Sequence, residues 1–276
     1  MIDLHVHSRI SDGTDPPARL VDLARAVGLT AMALTDHDTL EGIPEAVAAA
    51  DGHLELIPGI ELSVHWDGHG MHLLGYWIPD GGAVDGLLAW IQEGRIIRNL
   101  EMLEALSGMG IVITPEELAE ESGPGVTGRP HFAAILVRRG IVDTLGQAFD
   151  EYLSYGRPAY RPRRRLQAGQ AIAAIHADGG VAAVAHPHTV ADDADGFASA
   201  FKAFSELGID GVECHYSEYD PAQRMRLVEV ARSFGLVPTG GSDYHGGKKE
   251  HLRLGVGNGD LRVPDEVLEE LGDLRR

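Results

Sequence analysis

The stretch Ile2-Asp3-Leu4-His5-Val6-His7-Ser8 decides how the rest of the chain is read. Apolar Ile2, Leu4 and Val6 alternate with polar neighbours, the period-two pattern of a β-strand, so His5 and His7 fall on one face. Two imidazoles so placed can serve one ion, and the loop beyond, with Asp12-Gly13, can bring a carboxylate alongside. Alone, a His-x-His pair is weak, because it arises by chance and most exposed histidines bind nothing. Its weight depends on what stands at the ends of the other strands.

Outward from this strand, residues 17–26 read as an amphipathic helix closed by Gly28, 31–35 as a second apolar strand, and 41–50 as a helix. Residues 54–57 form the next strand, and 61–64 with 72–77 form a β-pair turned at Asp67-Gly68. Near the end of the chain the alternation resumes: helices at 168–178, 197–207 and 221–234, and strands at 181–185, 209–214 and 236–240. Such alternation predicts an α/β architecture with parallel strands, barrel-like at 276 residues. Between them the patterns are helical (87–106, 114–122, 130–139, 145–153) with no convincing strand, and they end in the proline-rich Gly156–Arg165 segment. The expected organisation is therefore a barrel made of 1–83 and 166–276, interrupted by a helical insertion at 84–165.

Composition narrows the function classes. Forty-two acidic residues against 23 Lys and Arg give a formal charge of −19. A body this acidic repels a polyphosphate backbone at long range, which argues against long duplex nucleic acid but leaves room for a small phosphorylated substrate at a local positive site. The single Cys214 excludes a disulfide scaffold and a cysteine-based zinc finger and fits a reducing compartment. The first residues lack a secretory pattern, and no run approaches the roughly 18 apolar residues of a membrane span. A soluble cytoplasmic protein with no membrane partner is expected.

Polar groups recur where apolar strands end: Thr35-Asp36-His37-Asp38, Gly59-Ile60-Glu61, Met71-His72, Ala185-His186-Pro187-His188 and Gly241-Ser242-Asp243-Tyr244-His245. Barrel enzymes place their catalytic groups at such ends. Nine candidate metal ligands result: His5, His7, Asp12, His37, Glu61, His72, His186, Asp243 and His245. Asp3, Asp36 and Asp38 read either as carboxylates that orient a ligand histidine or as caps, Asp36 leaning to the first and Asp38 to the second. His53, His65, His69, His176 and His251 have no motif around them and read as surface or capping residues.

These runs, together with Gly128-Arg129-Pro130-His131, resemble the motifs of the PHP (polymerase and histidinol phosphatase) superfamily over nearly the whole chain, and most of all its stand-alone phosphoesterases that act on nucleotides. The resemblance implies a distorted seven-stranded, TIM-like β/α barrel holding two or three divalent ions. It places His5, His7, Glu61 and Asp243 on one ion and Asp12, His37 and His245 on a second. Glu61 would bridge to a third ion supported by His72 and His186. Imidazole and carboxylate ligands without thiolate suit manganese, iron(II) or zinc. Paired ions can hold hydroxide at neutral pH and clamp phosphate oxygens for in-line attack.

The substrate side is read from the insertion. Arg129 precedes Pro130 at a helix start, a geometry that aims a guanidinium and free amides at an anion, so Arg129 is a candidate catalytic and substrate-binding residue together with His131. Arg157, Arg161, Arg163, Arg164 and Arg165, with Tyr155 and Tyr160, read either as a phosphate- and base-binding tract or as a solvated linker. Tyr160 and Arg161 are the candidates taken from it, and His188 and Ser217 are further candidate phosphate contacts. The tract and the run Glu213–Ser217 both depart from the family's usual form, which bears on substrate choice more than on reaction type.

The expected activity is metal-dependent hydrolysis of a phosphomonoester on a small nucleotide. The resemblance sharpens this to the 3′-phosphate of nucleoside 3′,5′-bisphosphates, with extension to short 5′-phosphorylated RNA. Histidinol-phosphate phosphatase and a non-catalytic metal-binding module are the alternatives.

Overall fold

The computed structural model describes all residues of the chain except 51, 53, 123–126, 163 and 276. Strand β1 (Ile2–Val6) is buried at every position and sits between two parallel neighbours. On one side it pairs with β2 (Ala31–Leu34). On the other it meets the end of the last strand: the His7 amide donates to the Tyr244 carbonyl at 3.0 Å and the Asp243 amide to the His5 carbonyl at 2.9 Å. The strands between are β3 (Glu55–Trp66), β4 (His69–Tyr76), β6 (Val181–Val184), β7 (Gly211–Tyr216) and β8 (Val237–Gly241), while the two-residue β5 (Leu166–Gln167) pairs with β3 off the main path. The order β1-β2-β3-β4-β6-β7-β8 curls into a nearly closed seven-stranded barrel. β4 runs antiparallel to both its neighbours, and the other pairings are parallel.

Helices α1 (Pro17–Val27) and α2 (Ile43–Ala49) flank the first strands, and Leu20, Val21 and Ala24 of α1 join Val6, Met32 and Leu34 in one apolar cluster. Each Leu, Val or Met side chain of this cluster taken from water contributes roughly 1.5–3 kcal/mol. In the order of the chain the later helices are α3 (Ala83–Gly108), α4 (Pro115–Ser122), α5 (Arg129–Arg138), α6 (Leu145–Ala148, continued as a π-helical turn over Phe149–Leu153), α7 (Ala168–Ala177), α8 (Ala194–Leu207), α9 (Pro221–Ser233) and α10 (Glu266–Asp273). The chain divides into two compact units, 1–88 with 166–276, and 89–165. The second unit has its own core, with Met102, Leu106, Phe132, Leu136 and Leu153 all fully buried.

Pro58-Gly59 reads as a break between two strands, yet β3 runs through it for 12 residues. The pair lies where β3 changes partner, from β2 (55–58) to β4 (59–66). A Cβ on Gly59 would stand 3.0 Å from the Leu34 carbonyl and 3.1 Å from that of Gly75, so the strands approach here because the side chain is missing. Among the described residues no helix is long and apolar enough to cross a membrane.

Candidate metal centre

The nine expected ligands converge at one end of the barrel. β1 supplies His5 and, just past its end, His7, both fully buried. β3 supplies Glu61, 1% exposed, whose backbone continues the pairing past β2: its amide donates to the Asp36 carbonyl, and its own carbonyl accepts from Asp38. That places His37 beside it. β4 brings His72, the turn after β6 brings His186, and the turn after β8 brings Asp243 and His245.

Glu61 is the hub. Its Oε2 lies 3.0 Å from His37 Nδ1, 3.2 Å from His7 Nε2 and 3.4 Å from His5 Nε2; its Oε1 lies 2.9 Å from both His72 Nδ1 and His186 Nε2. Asp243 Oδ1 stands 3.3 Å from His7 Nε2 and 3.6 Å from His5 Nε2. Asp12, on the loop after β1, lies 3.2 Å from His245 Nε2 and 3.7 Å from His37 Nε2. Three overlapping groups offer converging ligand atoms: His5, His7 and Glu61; His7, Asp12, His37 and His245; and His37, Glu61 and His72. His7 and His37 thus each reach two groups, a sharing that differs from the partition implied by the family resemblance.

The donor set fits divalent cations. Buried His5 Nε2, His37 Nδ1, His186 Nδ1 and both ring nitrogens of His7 have no hydrogen-bond partner, a costly condition unless something else fills their lone pairs. Among themselves the groups also polarise one another. Burial opposes charge on His5 and His7, but the carboxylates outweigh it: Glu213, Glu61 and Asp243 lift His5 well above the imidazole range, and Asp243 with Glu61 lifts His7 to about 9. Burial dominates at His37 and lowers it to about 4. Burial would raise Glu61, Asp243 and Asp12, yet the surrounding histidines hold all three well below the usual carboxylate range.

Three residues outside the expected set hold these ligands in place. The Tyr216 hydroxyl donates to Asp243 Oδ2 at 2.8 Å, and Lys249 Nζ donates to the same oxygen at 2.6 Å. Glu213 contacts His5 Nδ1 and the His186 amide. The available signal for Glu213 was a lone acid inside an otherwise apolar strand. Asp36 orients no histidine; it accepts from the Ser8 amide and from the hydroxyls of Ser8 and Ser11. Buried Asp3 accepts from the amides of Ser242 and Gly255, and Asp38 accepts from the Ser63 amide.

The candidate substrate contacts have diverse surroundings. The His188 amide donates to the Tyr219 hydroxyl at 3.1 Å, and that hydroxyl lies 2.9 Å from His188 Nδ1, with the ring 5.8 Å from that of His186. Ser217 is buried and donates its hydroxyl to the Ser242 carbonyl at 2.7 Å, which commits that proton to fastening β7 against the end of β8. In the second unit, the Arg129 guanidinium stands 5.8 Å from the ring centres of both Phe149 and Tyr160 and donates to the Leu153 carbonyl. His131 Nδ1 accepts from the Gly128 amide at 3.0 Å, capping α5. Arg161 donates to the carbonyls of Pro158 and Tyr160, and Arg164 pairs with Glu93 at 2.7 Å. Arg163 and His53 lie outside the described residues. His176 pairs with Asp210 at 2.6 Å.

Buried imidazoles with unpartnered ring nitrogens, gathered with carboxylates around Glu61, make a set that could hold metal ions. Residues 3–154 match the PHP domain, and the chain belongs to this family. It is 35% identical over 247 residues to a 5′-3′ exoribonuclease of Haemophilus influenzae, covering 88% of this chain and 89% of that protein. Over the same length it is 33% identical to a 3′,5′-nucleoside bisphosphate phosphatase of Chromobacterium violaceum, covering 88% and 87%. Among solved structures, a protein from Bifidobacterium adolescentis assigned as a metal-dependent phosphoesterase superposes with a TM-score of 0.72 at 30% identity, covering all of this chain and 96% of that one. The chain is a metal-dependent phosphoric ester hydrolase.

Proposed function

We propose that the chain hydrolyses the 3′-phosphate of nucleoside 3′,5′-bisphosphates, acts also on short 5′-phosphorylated oligoribonucleotides, and works with two or three ions of manganese, iron or zinc in a reducing cytoplasm. The observation that carries the reading is Glu61, set at one end of the barrel among five imidazoles. The two relatives, one an exoribonuclease and one a bisphosphate phosphatase, support the substrate class. His5, His7, Asp12, His37, Glu61, His72, His186, Asp243 and His245 would hold the ions. When bound, these supply Lewis acidity and hydroxide at neutral pH.

The side chains do the rest. The Tyr219 hydroxyl accepts from the His188 amide and lies 2.9 Å from His188 Nδ1; in the tautomer in which it donates its own proton to Nδ1, the ring proton stands on Nε2. His188 burial lowers its pKa, so the neutral ring donates from Nε2 to a phosphate oxygen. His131 has the same tautomer for the same reason, with Nδ1 accepting from Gly128, and it offers Nε2–H to phosphate or to the leaving alcohol. Arg129, braced by two aromatic faces, supplies a bidentate fork for the second phosphate, with Tyr160 and Arg161 beside it for the nucleoside.

A panel of nucleoside 3′,5′-bisphosphate, nucleoside 5′-monophosphate, 2′,3′-cyclic phosphate, histidinol phosphate and short 5′-phosphorylated RNA, assayed with manganese, tests the reading. The bisphosphate should show the highest kcat/KM; a strong preference for histidinol phosphate would overturn it.

A further inference from the structure

β7 does not keep the alternation of a regular strand. Its register with β8 shifts between Glu213 and His215. In a regular strand residues three apart face opposite sides, yet Glu213 and Tyr216 both reach the metal centre, Glu213 at His5 and Tyr216 at Asp243. Bulges of this kind re-aim side chains beside active sites. The neighbouring strand makes room for it: a Cβ on Gly240 would stand 2.3 Å from the His215 carbonyl oxygen.

What the bulge delivers is a fully buried carboxylate with both oxygens committed. Oε1 lies 3.0 Å from His5 Nδ1, and Oε2 accepts from the His186 amide at 2.8 Å. The first contact ties up His5 Nδ1–H and turns Nε2, which has no hydrogen-bond partner, toward Glu61 and Asp243. The second holds a residue whose φ of +27° is one that side-chain-bearing residues rarely adopt. His186 in turn sets its Nε2 2.9 Å from the other oxygen of Glu61.

We propose that Glu213 is a positioning residue that ties two parts of the metal centre together, fixing the ligand nitrogen of His5 and the backbone of His186 from one carboxylate. This rests on the metal reading of the barrel site and is independent of which phosphate ester is the substrate. A histidine ligand held by an outer carboxylate is oriented and made more basic, and loss of such a partner typically costs about 10–100-fold in metal affinity. Here one substitution should loosen two ligands that contact opposite oxygens of Glu61.

The test is metal retention. Wild type and Glu213→Gln are dialysed against the same buffered free manganese, and bound metal is counted. The amide keeps one acceptor oxygen but turns an NH2 toward a donor, so Glu213→Gln should bind about 10–100-fold more weakly, and Glu213→Asp, which keeps both oxygens on a shorter stem, should fall between. Equal affinity in wild type and Glu213→Gln overturns the proposal, whereas a wild type that binds no metal overturns the metal reading instead. A readout that does not depend on any variant folding is the ring-nitrogen NMR spectrum of zinc-loaded wild type. His5 should show a protonated Nδ1 and zinc on Nε2; zinc on His5 Nδ1 overturns the proposal.

Discussion

Ser8 gives Asp36 two hydrogen bonds, one from its amide at 2.8 Å and one from its hydroxyl at 2.7 Å, and Ser11 adds a third at 2.6 Å. Asp36 lies at the end of β2, so one buried carboxylate fastens the start of the loop that carries Asp12. Asp12 lies on that loop with its side chain 44% exposed, the most exposed of the carboxylates in the expected set. Asp36→Ala should therefore destabilise the fold by roughly 2–4 kcal/mol through unsatisfied buried donors. It should also weaken metal binding at the group His7, Asp12, His37 and His245 more than at the group His5, His7 and Glu61. Denaturant melts and metal titration of the variant check both parts; unchanged metal affinity would confine Asp36 to stability.

The pH dependence of the metal-free protein follows from opposing shifts. His7 is raised to about 9, so its contribution is fully present below the unfolded imidazole pKa of about 6.5 and is lost as pH rises through 9. His37 is lowered to about 4, so the fold binds fewer protons there than the unfolded chain, and stability falls as pH drops from about 6.5 toward 4. The depressed Glu61 and Asp243 extend that loss further into acid. Chelated protein should be most stable between these limits.

Metal uptake must strip protons from His5 and His7, because a ligand histidine is neutral. Calorimetry of manganese binding in buffers of different ionisation enthalpy should show proton release at pH 7 and less of it above pH 9. No difference between buffers at pH 7 would contradict the charge states assigned here.

Glu61 reaches two of the three ligand groups. Glu61→Gln should lower kcat by about 10³-fold or more, equivalent to about 4 kcal/mol of transition-state stabilisation. Circular dichroism should report an intact barrel, and metal analysis a reduced stoichiometry. Activity within tenfold of wild type would remove Glu61 from the hub position.

Arg129 offers a different kind of test, since it is expected to act on substrate and not on metal. Arg129→Ala should raise KM for the bisphosphate by about 10–100-fold, the loss of one charge-assisted contact worth roughly 1.5–3 kcal/mol. Metal content should not change. Equal kinetics for wild type and variant would leave the guanidinium as a brace between Phe149 and Tyr160.

The strand ends were legible because each side of the signal was local. An apolar run predicts a strand, and a histidine or acid in or just beyond it marks the site, as at His5 and Asp243; Glu61 and His72, expected at strand ends, instead lie inside β3 (Glu55–Trp66) and β4 (His69–Tyr76), because both strands run on past the site. What holds those ligands was less legible. Glu213 lies in an apolar run and reads as an anomaly, and only the register shift, a property of the pairing between β7 and β8, turns it toward His5. Lys249 lies six residues past Asp243 in a short turn whose path no periodicity reveals. Pro58-Gly59 misled for a related reason: its local preference is to break a strand, while the change of partner from β2 to β4 is a tertiary fact. The short α10 and β5 likewise draw their stability from packing, with Val267 and Leu271 of α10 buried among barrel residues.

The most direct measurement follows phosphorus in a nucleoside 3′,5′-bisphosphate by ³¹P NMR with manganese-loaded enzyme and again after chelation. The account predicts loss of the 3′-phosphate resonance, growth of inorganic phosphate and nucleoside 5′-monophosphate, and arrest on chelation that manganese reverses. Persistence of the 3′-phosphate with loaded enzyme, or turnover that chelation leaves untouched, would contradict it.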